Sequence, residues 1–231
     1  MFEGGKVLAI VTARSGSKGI KDKNIVDLGG QPLLSWTIEA AKKCVFIDDI
    51  AISSDSEKII SIAEKAGATI KINRPDQLST DGASSVDVIL HTLSLCRAYS
   101  WYVLLQPTSP LRNELHIEES FDLLKKSTSE SLVSISESKS KPNHIFSFDN
   151  ITSAINPIMG WENLSLRRQD LASFYELNGA IYIGRASTLK QTKQLVDKNT
   201  LGYVMEKSVS LDIDDPEDLV AAEAMFKNKE F

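Results

Sequence analysis

The chain has 231 residues, 42% of them hydrophobic, enough for one α/β domain with a large core. Its net charge of −5 argues against a general nucleic-acid binder, because such domains are usually basic. No signal-peptide pattern occurs, and no apolar run comes near the roughly 18 residues needed to cross a membrane, so a cytoplasmic protein with no membrane or nucleic-acid partner is expected.

Apolar runs alternate with helical stripes along the chain. "VLAIVTA" reads as a first strand, and "PLLSWTIEAAKKC" carries Leu34, Ile38 and Ala41 at helical spacing. "IAISSD" is a short strand, "SEKIISIAEKAG" a helix closed by Gly67, and "ATIKI" a strand. "SSVDVILHTLSLC" sets Val86, Ile89, Leu90, Leu93 and Cys96 on one face. "WYVLLQ" is a strand, "HIEESFDLLKK" a helix and "SLVSIS" a strand. This alternation predicts a mostly parallel sheet with helices on both faces. Cys44 and Cys96 have no metal or redox spacing and read as core residues of a reducing compartment.

From about residue 139 to residue 177 the pattern breaks into an irregular insertion with short strands, rich in polar residues but also in exposed-looking apolar ones. "NGAIYIG" is then a strand, "STLKQTKQL" a short helix, and "VSLDID" a strand. The last helix opens at "DPEDLVAAEAMF", where Asp215 is a good N-cap and Pro216 suits the first turn. The whole reads as a single domain over residues 1–231.

The loop "ARSGSKGIKDKN" follows the first strand and holds Arg14, Lys18, Lys21 and Lys23. In open parallel sheets ligands sit beyond the carboxyl ends of strands. Glycines let backbone N–H groups approach an anion, and the basic side chains add charge, so a polyphosphate is the natural guest. The spacing is neither that of a P-loop nor that of a dinucleotide fingerprint. Asp212 and Asp214 alternate on the expected "LDID" strand, which would put both carboxylates on one side, an arrangement suited to Mg²⁺. The alternative is that they only cap and turn. In "QPTSPLR", Gln106, Thr108 and Ser109 offer neutral donors and acceptors that suit a polyhydroxylated ligand.

The loop resembles the signature A-R-x-x-S-K-G-x-x-x-K-N of the N-acylneuraminate cytidylyltransferase family, the CMP-nonulosonate synthetases. Four further stretches match in the same order: "RPDQLSTDGASS", "LLQPTSPLR", "NGAIYI" and "DIDDPEDL". Together they cover nearly the whole chain. The resemblance implies a Rossmann-like, three-layer nucleotidyltransferase fold. It implies transfer of CMP from CTP to the anomeric hydroxyl of a nine-carbon 2-keto sugar acid, with release of pyrophosphate.

Carried over by position, Arg14 and Lys23 would hold the triphosphate, with Ala13, Ser17, Lys18 and Asn24 beside them. Arg74, Ser84 and Ser85 would meet the cytidine, although an Arg-Pro can simply end a strand and the serines can simply cap a helix. Gln106, Thr108, Ser109, Arg168, Asn178 and Tyr182 would line the sugar site. Asp212 and Asp214 would hold Mg²⁺. Arg14, Lys23 and Asp212 would carry catalysis, mainly by positioning and charge neutralisation. The family also implies a homodimer formed through the insertion. His91 and His116 are expected to be solvated, His144 stays open as a sugar-site residue, and Lys23 is expected to sit in an exposed loop. The competing readings are a synthetase for another keto sugar acid, of the pseudaminate or octulosonate type, and a nucleotide-binding regulatory protein without catalysis. His144 and Glu176 depart from sialate-using relatives and leave the sugar open.

Overall fold

The computed structural model describes residues 1–17, 19–138, 140–165 and 173–228. A strand that is apolar at consecutive positions needs cover on both faces. β1 (Lys6–Thr12) has that pattern and lies inside the sheet. A small hairpin follows, β2 (Asp27–Leu28) and β3 (Gln31–Pro32), turned by Gly29 and Gly30 at φ 63° and 92°. Next come α1 (Leu33–Lys43), β4 (Asp49–Ser54), α2 (Glu57–Ala66) and β5 (Ile70–Asn73). α3 (Ser85–Leu95), β6 (Tyr99–Leu105), α4 (Glu114–Lys125) and β7 (Ser131–Glu137) continue the alternation. A second hairpin, β8 (Phe146–Phe148) and β9 (Ile155–Pro157), precedes β10 (Tyr175–Arg185). The chain closes with α5 (Ala186–Thr192), β11 (Leu201–Val204) and α6 (Pro216–Asn228).

The main sheet runs β11-β7-β10-β6-β1-β4-β5. β1 is parallel to β4 and β6, β4 to β5, and β7 to β11, whereas β10 is antiparallel to both β6 and β7. Side chains alternate across this sheet. Val7, Ala9 and Val11 pack with Leu34 and Ile38 of α1, Ile59 of α2 and Phe121 of α4. Leu8 and Ile10 pack on the other face with Ile89 and Leu93 of α3 and Leu189 of α5. A smaller cluster, Leu28, Leu33, Ile213 and Ala222, seats α6 on the β2–β3 hairpin. Cys44 and Cys96 are buried free thiols, and burial pushes the Cys44 thiol up to about 11.

Several local expectations change. "VSLDID" is no strand: a 3₁₀ turn spans Lys207–Val209, residues 210–214 run on unpaired by any sheet, and the parallel edge strand is β11 instead. In place of a strand ladder, its Ile213 N–H donates to the Thr108 carbonyl at 2.8 Å. In the irregular stretch the last three residues, Tyr175, Glu176 and Leu177, already pair with Glu137, Ser136 and Ile135 of β7. The histidines are not simply solvated. His91 is half-buried, and its Nδ1 is sealed without a hydrogen-bond partner among the described residues. His116 closes a capping box, with its Nδ1 accepting from the Asn113 N–H at 3.2 Å and its own N–H donating to Asn113 Oδ1 at 3.2 Å.

That box has a pH consequence. Burial lowers the His116 pKa, with Glu119 opposing and Arg112 assisting. The neutral ring is therefore favoured by folding, and only the neutral ring can accept at Nδ1. The stability contribution is fully present above the unfolded value of about 6.5 and is lost as pH falls below it. Denaturant melts at pH 7.5 and 5.5 should show a drop that shrinks in His116→Gln, whose side-chain oxygen accepts at both pH values. An equal drop in both proteins would refute this.

Candidate active site

Because β1, β4 and β6 are parallel, their carboxyl ends open on one edge. β10 runs the other way, so its amino-terminal part reaches that same edge. A cavity of about 540 Å³ lies there. It is lined by Arg14, Ser17, Lys23 and Asn24 from the first loop and by Arg74 and Ser85 from the segments after β5. Gln106 and Thr108 after β6, and Asp212 and Asp214 before α6, complete the wall. Ten residues singled out in the sequence thus converge from five segments of the chain.

The first loop is braced by carboxylates. Asp55 accepts from the Ser15 N–H at 2.9 Å and from Ser15 Oγ at 2.6 Å. Burial alone would raise the Asp55 carboxyl, but these bonds outweigh it and hold it below its usual value. Asp81 pairs with the Arg14 guanidinium, and both line the cavity. Asn24 is buried and donates to the Arg14 carbonyl at 3.0 Å, so its side chain shapes the loop as well as facing the cavity. Lys23 is not in an exposed position. Its side chain is 15% exposed, and Nζ donates to the Ile213 carbonyl at 2.9 Å and meets Asp214 Oδ1 at 3.1 Å. One lysine therefore ties the loop after β1 to the segment before α6. Gly19 serves the same junction: a Cβ there would stand 2.5 Å from the Asp214 carbonyl oxygen.

Arg74 is buried, with Nε donating to Ser53 Oγ at 3.3 Å and Nη2 to the Ser53 carbonyl. Burial lowers its pKa, against the opposing charge of Asp55. Neighbouring Asp76 and Leu78 begin and end a 3₁₀ turn that leads towards α3. The two serines of that segment divide their work. Ser84 is the N-cap of α3 and accepts from the Asp87 N–H at 3.3 Å, while Ser85 lines the cavity.

The carboxylates differ in setting. The Asp214 side chain is 76% exposed and already engaged by Lys23. Asp212 is half-buried, and its Oδ1 is sealed from solvent without a hydrogen-bond partner among the described residues. Burial pushes the Asp212 carboxyl up; a hydrogen bond from Thr108 and the charge of Lys23 pull it back, and Asp214 pushes it further up. Asp215 turns away from the pair. Its Oδ1 accepts from the Glu217 and Asp218 N–H groups at 2.9 Å each, while Asp218 accepts in return from the Asp214 and Asp215 N–H groups. No cluster of three or more His, Cys, Asp or Glu stands at metal-binding distance among the described residues. Two carboxylates, one of them with an orphaned buried oxygen, nonetheless fit a hard divalent ion that keeps several of its waters.

Other residues singled out in the sequence stand behind the cavity wall. Ala13 is buried and donates its N–H to the Ser53 carbonyl at 3.1 Å. Ser109 is fully buried. Asn178 is buried with its side chain consumed internally, Oδ1 accepting from Ser134 Oγ at 2.6 Å and Nδ2 donating to Ser210 Oγ at 3.0 Å. Tyr182 packs against the core face that holds Leu8 and Ile10; burial raises its pKa, and the Asp212 charge adds to that. Lys18 and Arg168 lie outside the described residues. His144 is exposed at the end of a 3₁₀ turn.

Sequence reading passed over two residues that organise this wall. Gly179 has φ 76°, and a Cβ on it would stand 2.8 Å from Gln106 Oε1 and 3.4 Å from Asp212 Oδ2. Arg112 is buried behind the Gln106 turn. The signal for Gly179 was present in "NGAIYI", a glycine inside a strand pattern that marks a bulge or a close approach.

Comparison with known proteins agrees with this geometry. A family model described as cytidylyltransferase matches residues 8–229. The N-acylneuraminate cytidylyltransferase of Escherichia coli is 38% identical over 94% of this chain and 51% of its own length. That of Streptococcus agalactiae is 37% identical over 93% of this chain and 52% of its own. The chain therefore spans about half the length of these relatives. The CMP-N,N'-diacetyllegionaminic acid synthase of Legionella pneumophila is 30% identical over 96% of this chain and 97% of its own length. Among solved structures, a CMP:2-keto-3-deoxy-manno-octonic acid synthetase complexed with CTP superposes with TM-score 0.74 at 16% identity, covering 97% of this chain and 99% of that one. A 4-diphosphocytidyl-2C-methyl-D-erythritol synthase from Anaerococcus prevotii superposes with TM-score 0.68 at 15% identity, over 98% of each chain. These superpositions establish a shared α/β fold, and the match along residues 8–229 establishes descent: the chain belongs to the cytidylyltransferase family.

Proposed function

We propose that the protein is a cytidylyltransferase that moves CMP from CTP to the anomeric hydroxyl of a nine-carbon 2-keto sugar acid of the N-acylneuraminate or legionaminate type, releasing pyrophosphate. The observation that carries this is the convergence of Arg14, Lys23, Arg74, Ser85, Gln106 and Asp212 on one cavity at the carboxyl edge of the sheet. The names of the relatives support the substrate class, and the nearly full-length match to the legionaminic acid synthase brings that sugar into range.

In this reading Arg14 and Lys23 face the triphosphate. Both are paired with carboxylates, Asp81 and Asp214, so an incoming polyphosphate exchanges one anion for another. The cations then stabilise charge that builds on the α-phosphate and the departing pyrophosphate. Arg74 and Ser85 stand where the cytidine would lie, and Gln106 and Thr108 where sugar hydroxyls need neutral partners. Attack of the anomeric oxygen on the α-phosphorus breaks the bond to pyrophosphate, and the anomeric proton leaves to solvent in the site or to Asp212. Asp212 and Asp214 would hold Mg²⁺, which when bound supplies charge neutralisation at the phosphates. With free buried Cys44 and Cys96, and no described helix long and apolar enough to cross a membrane, we place the reaction in the cytoplasm.

The reading also includes a homodimer. Phe148, Ile151, Ile158 and Trp161 are 57%, 95%, 62% and 60% exposed and crowd into the segment between β7 and β10. Apolar groups so concentrated mark an interaction surface, and a second copy covers them in the simplest closed assembly. Light scattering at micromolar protein should give twice the chain mass, and Phe148→Asp with Trp161→Asp should give the chain mass. A wild-type monomer would rule the dimer out.

Pyrophosphate release from CTP with a panel of sialic, legionaminic, pseudaminic and octulosonic acids tests the reaction. Release with a nine-carbon acid is expected, and its absence with every acid would leave the non-catalytic reading. Asp214→Asn should abolish most release while Asp215→Asn, still a good N-cap, spares it; the reverse pattern would show the wrong carboxylate was chosen.

Lys23→Ala should cost both turnover and stability. Loss of a charge donor to the phosphates lowers rate by about a hundredfold or more. Loss of the bonds to Ile213 and Asp214 lowers unfolding free energy by about 1–2 kcal/mol. An unchanged denaturant midpoint would show that the Lys23 tie is dispensable for folding.

A further inference from the structure

Arg112 is 1% exposed, and its guanidinium meets only neutral oxygens. Nε donates to the Ala180 carbonyl at 3.2 Å, and Nη2 donates to Thr37 Oγ1 at 2.7 Å and to the Gln106 carbonyl at 3.2 Å. Nη1 has no hydrogen-bond partner, and no carboxylate forms an ion pair with the group among the described residues. Burial lowers its pKa to about 9, so it remains a cation at neutral pH. A buried, unpaired charge is costly, and an apolar side chain of similar volume would be the cheaper filler. The position therefore needs what a guanidinium does.

The bonds show what that is. Gln106 directly follows β6 and lines the cavity; Ala180 lies in the part of β10 where the register with β7 shifts between Leu177 and Tyr182. A planar fork spans the two carbonyls at a fixed separation, which the single point charge of a lysine does not reproduce. The Gln106 carbonyl is pinned from two further directions, by Thr37 Oγ1 at 3.4 Å and the Ser109 N–H at 3.4 Å. Next to Ala180 in the chain is Gly179, where a Cβ would stand 2.8 Å from Gln106 Oε1 and 3.4 Å from Asp212 Oδ2, so both oxygens come close to its bare Cα. Small shifts of this stitch move both side chains relative to each other.

We propose that Arg112 is a positioning residue for the reaction described above: by clamping the Gln106 and Ala180 carbonyls it sets the side chains of Gln106 and Asp212 against Gly179, where the sugar acid is read. The proposal rests on the cytidylyltransferase reading for its kinetic test but has a structural test independent of it. Among the described residues the hydrogen bonds of Arg112 go to Thr37, Gln106 and Ala180 and none to the first loop, so its removal should spare the CTP half of the cavity.

The experiment compares wild type with Arg112→Lys, which keeps the charge and loses the fork. Gly179→Ala is added as a variant that leaves the buried guanidinium untouched and displaces Gln106 from the other side. Both should retain a dispersed NMR spectrum and bind CTP by calorimetry within about twofold of wild type. Both should raise KM for the sugar acid and lower kcat, by about tenfold to a hundredfold in kcat/KM, the scale of a misplaced reacting group. The Gln106 side-chain amide resonances, assigned through Gln106→Glu, should shift in both variants whatever the protein catalyses. A wild type that releases no pyrophosphate with any sugar acid fails the reaction reading, and the amide resonances alone then decide this one. Unmoved Gln106 resonances overturn the proposal. So does a loss in CTP binding equal to the loss in turnover, the mark of a merely structural arginine, and so does wild-type kinetics in Arg112→Lys.

Discussion

Parallel pairing of β1 with β4 on one side and β6 on the other is the constraint from which the rest follows. It sends three carboxyl ends to one edge of the sheet and forces every crossover helix to return along a face. The loops that leave those ends, after Thr12, after Ser54 and after Leu105, have no choice but to meet. β10 then enters antiparallel between β6 and β7 and delivers Gly179 to the same edge from the opposite direction. A cavity at this edge is a product of topology before any side chain is considered.

Two of the cations in that cavity, Arg14 and Lys23, stand in matched pairs with carboxylates. Arg14 meets Asp81, Lys23 meets Asp214, and the Ser15 donors meet Asp55, so the first loop is oriented by protein carboxylates. Such a site is shaped in advance and avoids bare repulsion between its cations. Arg112, like Arg74, is a cation whose hydrogen bonds among the described residues go to neutral oxygens, but unlike Arg74 it is buried behind the wall and does not line the cavity. The contrast separates basic groups that line the cavity from one that joins the wall behind it.

The same economy appears in the joints. Lys23 bonds a carbonyl 190 residues away, and Gly19 lets the backbone at Asp214 come close enough for that bond. Asp215 and Asp218 cap α6 reciprocally, which leaves Asp214, one residue earlier, pointing at Lys23. Cap, lysine and glycine together place the segment 212–214 without help from a strand.

The sequence by itself determined the strand and helix alternation, because period and polarity are local properties that burial on one or two faces imposes directly. It determined the phosphate-loop candidates Arg14 and Lys23 and the N-cap at Asp215 for the same reason: short motifs carry short-range geometry. Tertiary structure alone decided that one oxygen of Asp212 is sealed while Asp214 is exposed, that Ser84 caps while Ser85 faces the cavity, and that Asn178 is spent on Ser134 and Ser210. It also decided that Lys23 is a half-buried tie, and that "LDID" stays outside the sheet. Each of these depends on which distant segment supplies the partner atom, and a side chain's period along its own element carries no record of that.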